Sequence, residues 1–332
     1  MRISTYNCLS SHYIPKNKGD ISEDGTKCIA YGCSYDHNTC ELHKKNQTQY
    51  ERIEPMLQKI KSSDVFFLQE LEQETYLEIR KAHQEAHQEV WDAVYEPRYD
   101  TSKNYSPSHD SKDGCAVFIK RTKLSNRQDR DQEGKIQKQI RHEMYTNNRG
   151  KPILVRVHNN GCYLSFHASK TYASSKTHAS SKTHASSKTY PSSKTYPSSK
   201  TYTSFLSDLL NILKPNNFDF IILGGDLNHE LETLPEMEGY VGERASTNNV
   251  PTMTGEGESN WKQLDQIIVY SNQKPTISKV QVYDVVFNDN GRKLVKIENP
   301  APNYCAAAFF KQWIDDKKPA SDHRLLSCTV KL

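Results

Sequence analysis

The sequence predicts an α/β fold in which two β-sheets pack face to face and helices cover their outer surfaces. Short runs rich in β-branched and aromatic residues recur along the whole chain, which is typical of many strands. A few segments with helical character fall between these runs. Many strands with few helices between them favour two packed sheets with the helices outside.

The predicted strands follow one another from the N-terminus to the C-terminus. They are Arg2–Tyr6, Val65–Leu68, Ala116–Lys120, Ile153–His158, Cys162–His167, Phe220–Leu223, Leu264–Tyr270, Val280–Phe287 and Leu325–Val330. Three helices are predicted between them. Gln49–Lys61 carries apolar residues on one face, and Glu74–Val90 is polar and is expected at the surface. Ser204–Leu213 carries a broad apolar stripe, with Ser204 as its expected N-cap.

Length and composition indicate one domain that covers residues 1–332. The chain has 332 residues, of which 35% are hydrophobic, and its mean hydropathy is −0.82. A chain of this length can bury a substantial core, but the low hydropathy requires long solvated loops or inserts. The net charge of +4 suits a polyanionic partner without proving one.

Targeting signals are not visible in the sequence. No apolar run approaches the roughly 20 residues of a membrane span, and the N-terminus resembles a strand rather than a signal peptide. We therefore expect a monomer that is cytoplasmic or is delivered without an N-terminal signal. Cys8, Cys115, Cys162 and Cys328 lie in or beside apolar strands, which favours reduced core thiols.

Two segments do not fit a compact core. Residues 12–46 form a long polar insert that contains Cys and His. Residues 168–203 contain a hexapeptide repeat, with full copies from Ala173 to Tyr202 and a shortened first copy, Ala168–Tyr172. The favoured interpretation is a low-complexity loop that cannot bury enough apolar surface to become ordered. The alternative is a row of cations and rings, one Lys and one Tyr or His per copy, that holds phosphates and stacks on bases.

The first insert offers a possible zinc site. Cys28, Cys33, His37, Cys40 and His43 could supply four soft ligands. Their spacing matches no common zinc knuckle, so free thiols, or a disulfide in an exported protein, are the favoured interpretation.

Polar residues at the ends of apolar runs supply the chemistry of phosphate ester hydrolysis. That reaction needs a metal to bind phosphate oxygens, an activated water and help for the leaving oxygen. Mg²⁺ takes hard oxygen ligands and keeps several waters, so that one or two carboxylates and an amide suffice. Any one such residue is ordinarily a turn or capping residue, but an ordered set is more specific. The set comprises Asn7, Glu70, Asp226, Asn228, Asp322 and His323.

Through these residues and their neighbours the chain resembles the endonuclease/exonuclease/phosphatase superfamily, the deoxyribonuclease-like metal-dependent phosphoesterases. The matching segments span nearly the whole chain in the family's order. They are Thr5–Leu9, Phe67–Leu71, Leu164–His167, Leu223–Asn228, Leu264–Ile267 and Ser321–Arg324. The resemblance implies a four-layered α/β/β/α sandwich of two packed mixed β-sheets flanked by helices.

The resemblance also implies a metal site and a residue that acts on water. Glu70 would be the main Mg²⁺ ligand, with Asn7 and Asp322 nearby and with Mn²⁺ as a substitute ion. Asp226 would orient or deprotonate the attacking water.

The remaining implied roles concern the phosphate. Asn228 and His167 would bind its oxygens, and His323 would act as general acid/base or transition-state stabiliser, held by Asp265. A His paired with a carboxylate keeps a fixed tautomer and can stabilise charge that develops on phosphorus, which fits this assignment.

One segment points to a particular branch of the family. Asp113–Lys120 is similar to a segment of the deadenylase-like members, although an ordinary buried strand after a Gly turn explains it equally well. The family's stretch after His167 is replaced here by the hexapeptide repeat. Substrate contacts from that stretch cannot be carried over.

Three functions remain open on the sequence. A nuclease that cuts DNA or RNA phosphodiesters is favoured by the basic charge, the Lys-rich repeat and the deadenylase-like segment. A phosphoinositide phosphatase or a sphingomyelinase-like lipid phosphodiesterase is the alternative, for which Ala306–Trp313 is the candidate phospholipid-contacting loop. A catalytically dead binding module ranks last, because every expected site position is filled.

Overall fold

The computed structural model describes the sheets, the helices and most of their connections. The described residues are 1–8, 27–28, 33–34, 48–86, 91–100, 106–107, 113–120, 126–169, 172, 200–247, 250, 252, 263–288, 291–297 and 323–332. The repeat copies at 173–199, most of the first insert, Asp322 and Ala306–Trp313 lie outside them. Across the described helices, none has the length and apolar character that crossing a membrane requires.

Two large sheets contain most of the strands. The strands of the larger sheet, in chain order, are β1 (Arg2–Asn7), β4 (Val65–Glu72), β5 (Trp91–Pro97), β8 (Asp113–Lys120), β14 (Thr276–Asn288), β15 (Gly291–Ile297) and β16 (Leu325–Lys331). Those of the smaller sheet are β9 (Ile153–His158), β10 (Gly161–His167), β11 (Phe220–Asp226), β12 (Val241–Arg244) and β13 (Asp265–Ser271). The helices are α1 (Gln49–Ser62), α2 (Gln73–Ala86), α3 (Arg127–Met144) and α4 (Lys200–Leu213), and a 3₁₀ turn follows at Lys214–Asn216.

Two further pairs of short strands lie in the connections. They are β2 (Lys27–Cys28) with β3 (Cys33–Ser34), and β6 (Tyr99–Asp100) with β7 (Ser106–Pro107). The first pair places Cys28 opposite Cys33 in the backbone register. The other zinc candidates, His37, Cys40 and His43, lie outside the described residues.

Each large sheet is mixed and has one parallel pair inside it. The order is β15-β14-β16-β1-β4-β8-β5 in the seven-stranded sheet, where β1 and β4 run parallel. The order is β12-β13-β11-β10-β9 in the five-stranded sheet, where β10 and β11 run parallel. All other neighbours in these sheets pair antiparallel. The carboxyl ends of each parallel pair therefore lie side by side.

Three apolar clusters separate four layers. Phe67 and Val117 of the larger sheet share one cluster with Ile222 and Ile267 of the smaller sheet, so the two sheets pack face to face. On the outer side of the larger sheet, α1 and α2 pack against Phe66 and its neighbours. On the outer side of the smaller sheet, α3 and α4 do the same. The predicted α/β/β/α sandwich of two mixed sheets is confirmed.

Glycine lets the two sheets approach closely just before the site. A Cβ atom built on Gly224 of β11 would lie 2.1 Å from the ring of Phe67 in β4. Gly225 has a different role, because its Cβ atom would lie 2.0 Å from the carbonyl oxygen of Phe166 in β10, the neighbouring strand of the same sheet. Real Cβ atoms do not tolerate such distances, so the two glycines before Asp226 are a packing requirement.

One helix prediction needs correction, and one helix was missed. Helix α4 begins at Lys200, so Ser204 lies inside it and is not its N-cap. No proline falls between Lys200 and Leu213, so nothing in the chain stops the helix from extending through Ser204. Helix α3 was not predicted. It is highly polar, its buried apolar residues are confined to its second half, and Asn126 caps it by accepting from the backbone N–H of Asp129.

The predicted low-complexity loop at 168–203 overlaps the core at its N-terminal end, and helix α4 already begins at Lys200. Ala168, Ser169 and Tyr172 of the shortened first copy are buried. Tyr172 packs edge-on against Phe205 of α4, with ring centroids 5.1 Å apart, and donates a hydrogen bond to Asp208. The repeat therefore starts as core sequence.

The thiols beside the strands behave as predicted. Cys8, Cys115, Cys162 and Cys328 are buried thiols. Burial raises the pKa of the last three thiols, which keeps them protonated and unreactive.

Candidate functional site

The candidate site lies where the two parallel strand pairs end. Asn7 ends β1 and Glu70 lies near the end of β4, while His167 ends β10 and Asp226 ends β11. Asp265 opens β13 directly opposite Asp226, because an antiparallel neighbour begins where its partner ends. The topology therefore gathers polar side chains from both sheets at one edge.

Asn7 joins the two carboxylates of the site. Its amide nitrogen donates to Asp226 Oδ2 at 3.0 Å and lies 3.3 Å from Glu70 Oε1. His167 Nε2 lies 3.4 Å from the same Glu70 oxygen and 3.5 Å from Asp226 Oδ2. Asn7, His167 and Asp226 are almost completely buried, so the two carboxylates interact with little screening by solvent.

The backbone at Glu70 is bent towards this cluster. Glu70 has a positive φ of 51°, which is uncommon for a residue other than glycine. The pairing of β4 with β8 shifts register between Leu68 and Leu71, which marks a β-bulge. A bulge re-aims a side chain at the end of a strand, and strained backbone concentrates at functional sites.

Asn228 fixes the Asp226 carboxylate from the following turn. It has a positive φ of 56°, and its backbone N–H donates to Asp226 Oδ1 at 2.7 Å. Its side-chain amide donates to Asp226 Oδ2 at 3.1 Å and to the carbonyl oxygen of Ala168 at 2.8 Å. Asn tolerates this left-handed conformation better than most residues do, and its amide then spans the gap to the chain after β10.

His323 and Asp265 form a buried pair beside the cluster. His323 Nδ1 lies 2.8 Å from Asp265 Oδ2, and His323 Nε2 lies 3.8 Å from Asp226 Oδ2. Burial raises the pKa of the Asp265 carboxyl, and the adjacent imidazole opposes that shift. The contact with Asp265 orients the imidazole, so that Nε2 is the atom that faces the carboxylate cluster.

Thr252 supports this pair and was not predicted. Its hydroxyl accepts from the backbone N–H of Asp265 at 2.9 Å, and its carbonyl oxygen accepts from the backbone N–H of Arg324 at 2.7 Å. It thereby links the strand that carries Asp265 to the residue after His323. Thr252 lies in a connection without periodicity, so no pattern in the sequence marks it.

The loop between α3 and β9 also reaches the site and was not predicted. The Lys151 ammonium contacts His167 Nε2, and it lies 3.4 Å from the carbonyl oxygen of Ala168. Asn148 is fully buried and donates to the carbonyl oxygens of Lys151 (2.8 Å) and His167 (3.0 Å). The signal for Lys151 in the sequence is a basic residue before a strand, which is too common to be informative.

The cluster has the donor set of a divalent-metal site. Glu70, His167 and Asp226 each present a ligand atom, and these atoms lie within 4.8 Å of one another. Two carboxylates with an adjacent amide provide the hard oxygen ligands that Mg²⁺, Ca²⁺ and Mn²⁺ prefer. These ions bind an imidazole nitrogen less readily. The residues therefore fit a hard divalent cation.

The structure brings together all the predicted site residues that it describes. They are Asn7, Glu70, His167, Asp226, Asn228, Asp265 and His323. Asp322 lies outside the described residues. The deadenylase-like segment forms the buried strand β8, and its Asp113 lies 3.6 Å from Arg98.

Comparison with known proteins identifies one family. A family model described as "Endonuclease/Exonuclease/phosphatase family" matches residues 5–323. The match includes every described residue of the cluster. A comparison with curated proteins gave no match.

Several solved structures are similar to the chain at low sequence identity. TDP2 from Caenorhabditis elegans is 11% identical, with a TM-score of 0.45, and the match covers 100% of this chain and 75% of that one. The human Nocturnin catalytic domain is 15% identical, with a TM-score of 0.45 and coverages of 100% and 93%. An endonuclease/exonuclease/phosphatase family protein from Bacteroides thetaiotaomicron is 10% identical, with a TM-score of 0.49 and coverages of 99% and 97%.

Proposed function

The chain belongs to the endonuclease/exonuclease/phosphatase family of hydrolytic phosphoesterases, and from this premise we propose that it is a Mg²⁺-dependent nuclease. One observation carries the proposal. The Asn7–Glu70–His167 cluster and the His323–Asp265 pair both converge on Asp226 Oδ2. A carboxylate with a metal site on one side and an oriented imidazole on the other suits metal-assisted hydrolysis.

Glu70, Asn7 and Asp322 are the proposed Mg²⁺ ligands. Glu70 supplies the carboxylate that is bent into the cluster, and the family resemblance adds Asn7 and Asp322. A bound divalent cation polarises the phosphate oxygens and offsets the charge that develops on them. Mn²⁺ should substitute, because it accepts the same hard ligands.

Asp226 is the proposed acceptor for the attacking water. Its two oxygens are held by Asn7 and by both nitrogen donors of Asn228. A carboxylate held by several donors cannot rotate, so it orients a water along one direction without further ordering. In this proposal Asn228 and His167 lie beside the phosphate oxygens.

His323 is the proposed stabiliser of the transition state. Asp265 accepts from Nδ1, which leaves Nε2 on the side of Asp226 where the reacting phosphate would lie. In the imidazolium form, which carries a proton on each nitrogen, His323 can also donate from Nε2 to a phosphate oxygen or to the leaving group.

Nucleic acid is the proposed substrate class. The chain has a net charge of +4, and each full copy of the hexapeptide repeat carries one Lys. Such positive charge favours a polyanion that is longer than a single phosphate group. The deadenylase-like segment at Asp113–Lys120 agrees with this choice but does not separate RNA from DNA.

A substrate panel tests the proposal. The purified chain should be incubated with Mg²⁺ and single-stranded RNA, single-stranded DNA, duplex DNA, phosphoinositides or sphingomyelin, with Asp226→Asn as the control for contaminating enzymes. We expect hydrolysis of a nucleic acid that Asp226→Asn lacks and that EDTA abolishes. Activity that persists in excess EDTA would exclude the metal mechanism, and activity on lipids alone would exclude the substrate class.

A further inference from the structure

Lys151 occupies a position in the site that the proposed mechanism does not use. Its ammonium contacts His167 Nε2, the imidazole nitrogen that faces Glu70 Oε1 and Asp226 Oδ2. The same ammonium lies 3.4 Å from the carbonyl oxygen of Ala168, to which Asn228 also donates. The cation therefore contacts one of the two residues that were assigned to the phosphate, His167, and shares an acceptor with the other, Asn228.

The direction of the Lys151–His167 contact is fixed by chemistry. An ammonium carries three N–H donors and no acceptor, so Nε2 of His167 must accept in this contact. A nitrogen that accepts a hydrogen bond has no proton of its own to donate to a phosphate oxygen. The donor that this part of the site can offer to phosphate is then the ammonium.

We infer that Lys151 is a substrate-binding residue whose ammonium contacts the phosphate, and that His167 orients this ammonium. The inference rests on the proposed hydrolysis of phosphate esters. It also revises one role, because His167 acts here through Lys151. Charge balance supports this arrangement, since the carboxylates of Glu70 and Asp226 repel a phosphate and a nearby cation lowers that repulsion.

The loop that carries Lys151 is built to hold it in place. Arg149 and Gly150 both have positive φ values, of 52° and 70°, and the backbone N–H of Gly150 donates to the carbonyl oxygen of Tyr145 at 2.8 Å. The chain thereby turns back from the end of α3. The buried Asn148 then ties Lys151 to the end of β10 through the carbonyl oxygens of both Lys151 and His167. Asn148 is thus a positioning residue.

Substitution of Lys151 separates phosphate binding from a structural role. Lys151→Met removes the charge and keeps most of the aliphatic chain, and Lys151→Arg keeps the charge. The matched control is Lys138→Met, which makes the same change on the exposed face of α3. The assay measures hydrolysis of bis(p-nitrophenyl) phosphate with Mg²⁺, and its inhibition by inorganic phosphate.

We expect Lys151→Met to raise both KM and the inhibition constant of inorganic phosphate by about tenfold to a hundredfold, the range of a charge-assisted hydrogen bond. Lys151→Arg should recover most of the loss, and Lys138→Met should match the wild type. Unchanged phosphate inhibition in Lys151→Met would overturn the inference. So would equal losses in Lys151→Met and Lys151→Arg.

A second measurement tests the orienting role of His167. In a His167→Ala background, Lys151→Met should have a much smaller effect on phosphate inhibition, because residues that act as a unit are not additive. A full effect in that background would show that the two residues act independently, which contradicts the inference.

A readout without catalysis separates this inference from the proposed function. Inorganic phosphate should raise the melting temperature of the wild type in EDTA, and Lys151→Met should lose that increase while Lys138→Met retains it. If no substrate is hydrolysed but this pattern holds, the proposed nuclease function fails and the phosphate site stands. If hydrolysis depends on Asp226 but the pattern is absent, Lys151 does not bind phosphate.

Discussion

The two sheets contribute to the site in the same way. In each sheet a parallel pair ends at the site, and an antiparallel strand begins next to it. Asn7 of β1 corresponds to Asp226 of β11, and Glu70 of β4 corresponds to His167 of β10. His323, which precedes β16, corresponds to Asp265 at the start of β13. Corresponding positions thus face one another across the boundary between the sheets.

The difference between the sheets lies in the chemistry of these positions. Where the larger sheet has an imidazole, the smaller has a carboxylate, and His323 lies 2.8 Å from Asp265. Where the larger sheet has the Glu70 carboxylate, the smaller has His167, at 3.4 Å. The two halves are therefore similar in backbone, and each places an imidazole opposite a carboxylate of the other half. Neither half contains a complete site, so function depends on how the two sheets pack.

The largest expected effect comes from the residue on which both halves converge. Asp226→Asn should lower kcat by about 10² or more, because the amide cannot orient water as a carboxylate does. The melting temperature should change little, since Asp226 lies at a strand end rather than among apolar side chains. Steady-state kinetics and thermal unfolding of the same preparation measure both quantities. A variant with near-normal kcat would remove Asp226 from the mechanism.

Substitutions in the His323–Asp265 pair, which joins the two sheets, should have the next largest effect on kcat. His323→Ala should also lower kcat by about 10², and Asp265→Asn should cost less, because Asp265 acts by positioning the imidazole. In the double variant, Asp265→Asn should add almost nothing to the loss caused by His323→Ala. If Asp265→Asn slows the His323→Ala enzyme as much as it slows the wild type, the pair is not a catalytic unit.

The packing of the sheets can be disturbed away from the site. Gly224→Ala places a methyl group 2.1 Å from a ring atom of Phe67, so the sheets must separate or Phe67 must move. We expect a destabilisation of about 1–3 kcal/mol, the usual cost of overpacking a core. Gly134→Ala on α3 is the control, because nothing lies within 4 Å of its new methyl group and helix propensity predicts a stabilisation of about 0.5–1 kcal/mol.

A compensating variant sharpens this test. Phe67→Leu reduces the side chain that the new methyl group would meet, so the double variant should be more stable than the sum of the two single effects predicts. Strict additivity in thermal or denaturant unfolding would show that the close contact between Gly224 and Phe67 does not limit how the sheets pack.

The sequence predicted the strand ends better than the connections. Glu70 and Asp226 follow apolar runs that are buried on both faces, and such runs are visible without any structure. Thr252, Asn148 and Lys151 lie in irregular segments, and their roles arise from hydrogen bonds to residues that are distant in the chain. Periodicity carries no information about such contacts.

Helix α3 shows a second limit of prediction from sequence. Its buried residues include Gln137, which donates to Glu96 and to the carbonyl oxygen of Ile153. Arg141 forms two hydrogen bonds with the same Glu96. This helix is attached to the sheets through polar contacts as well as apolar ones. A search for an apolar stripe therefore does not detect such a helix.

Tyr172 separates the core from the repeat, and removal of its hydroxyl alone should have the smallest effect. Tyr172→Phe removes a hydroxyl that donates to Asp208 at 2.9 Å but keeps the edge-on contact with Phe205. We expect a loss of about 1 kcal/mol, or roughly 2 °C in melting temperature, with kcat unchanged. Tyr172→Ala should cost about 3–5 kcal/mol, because it empties a buried site. If instead Tyr172→Ala melts like the wild type, the shortened copy belongs with the low-complexity repeat and not with the core of the smaller sheet.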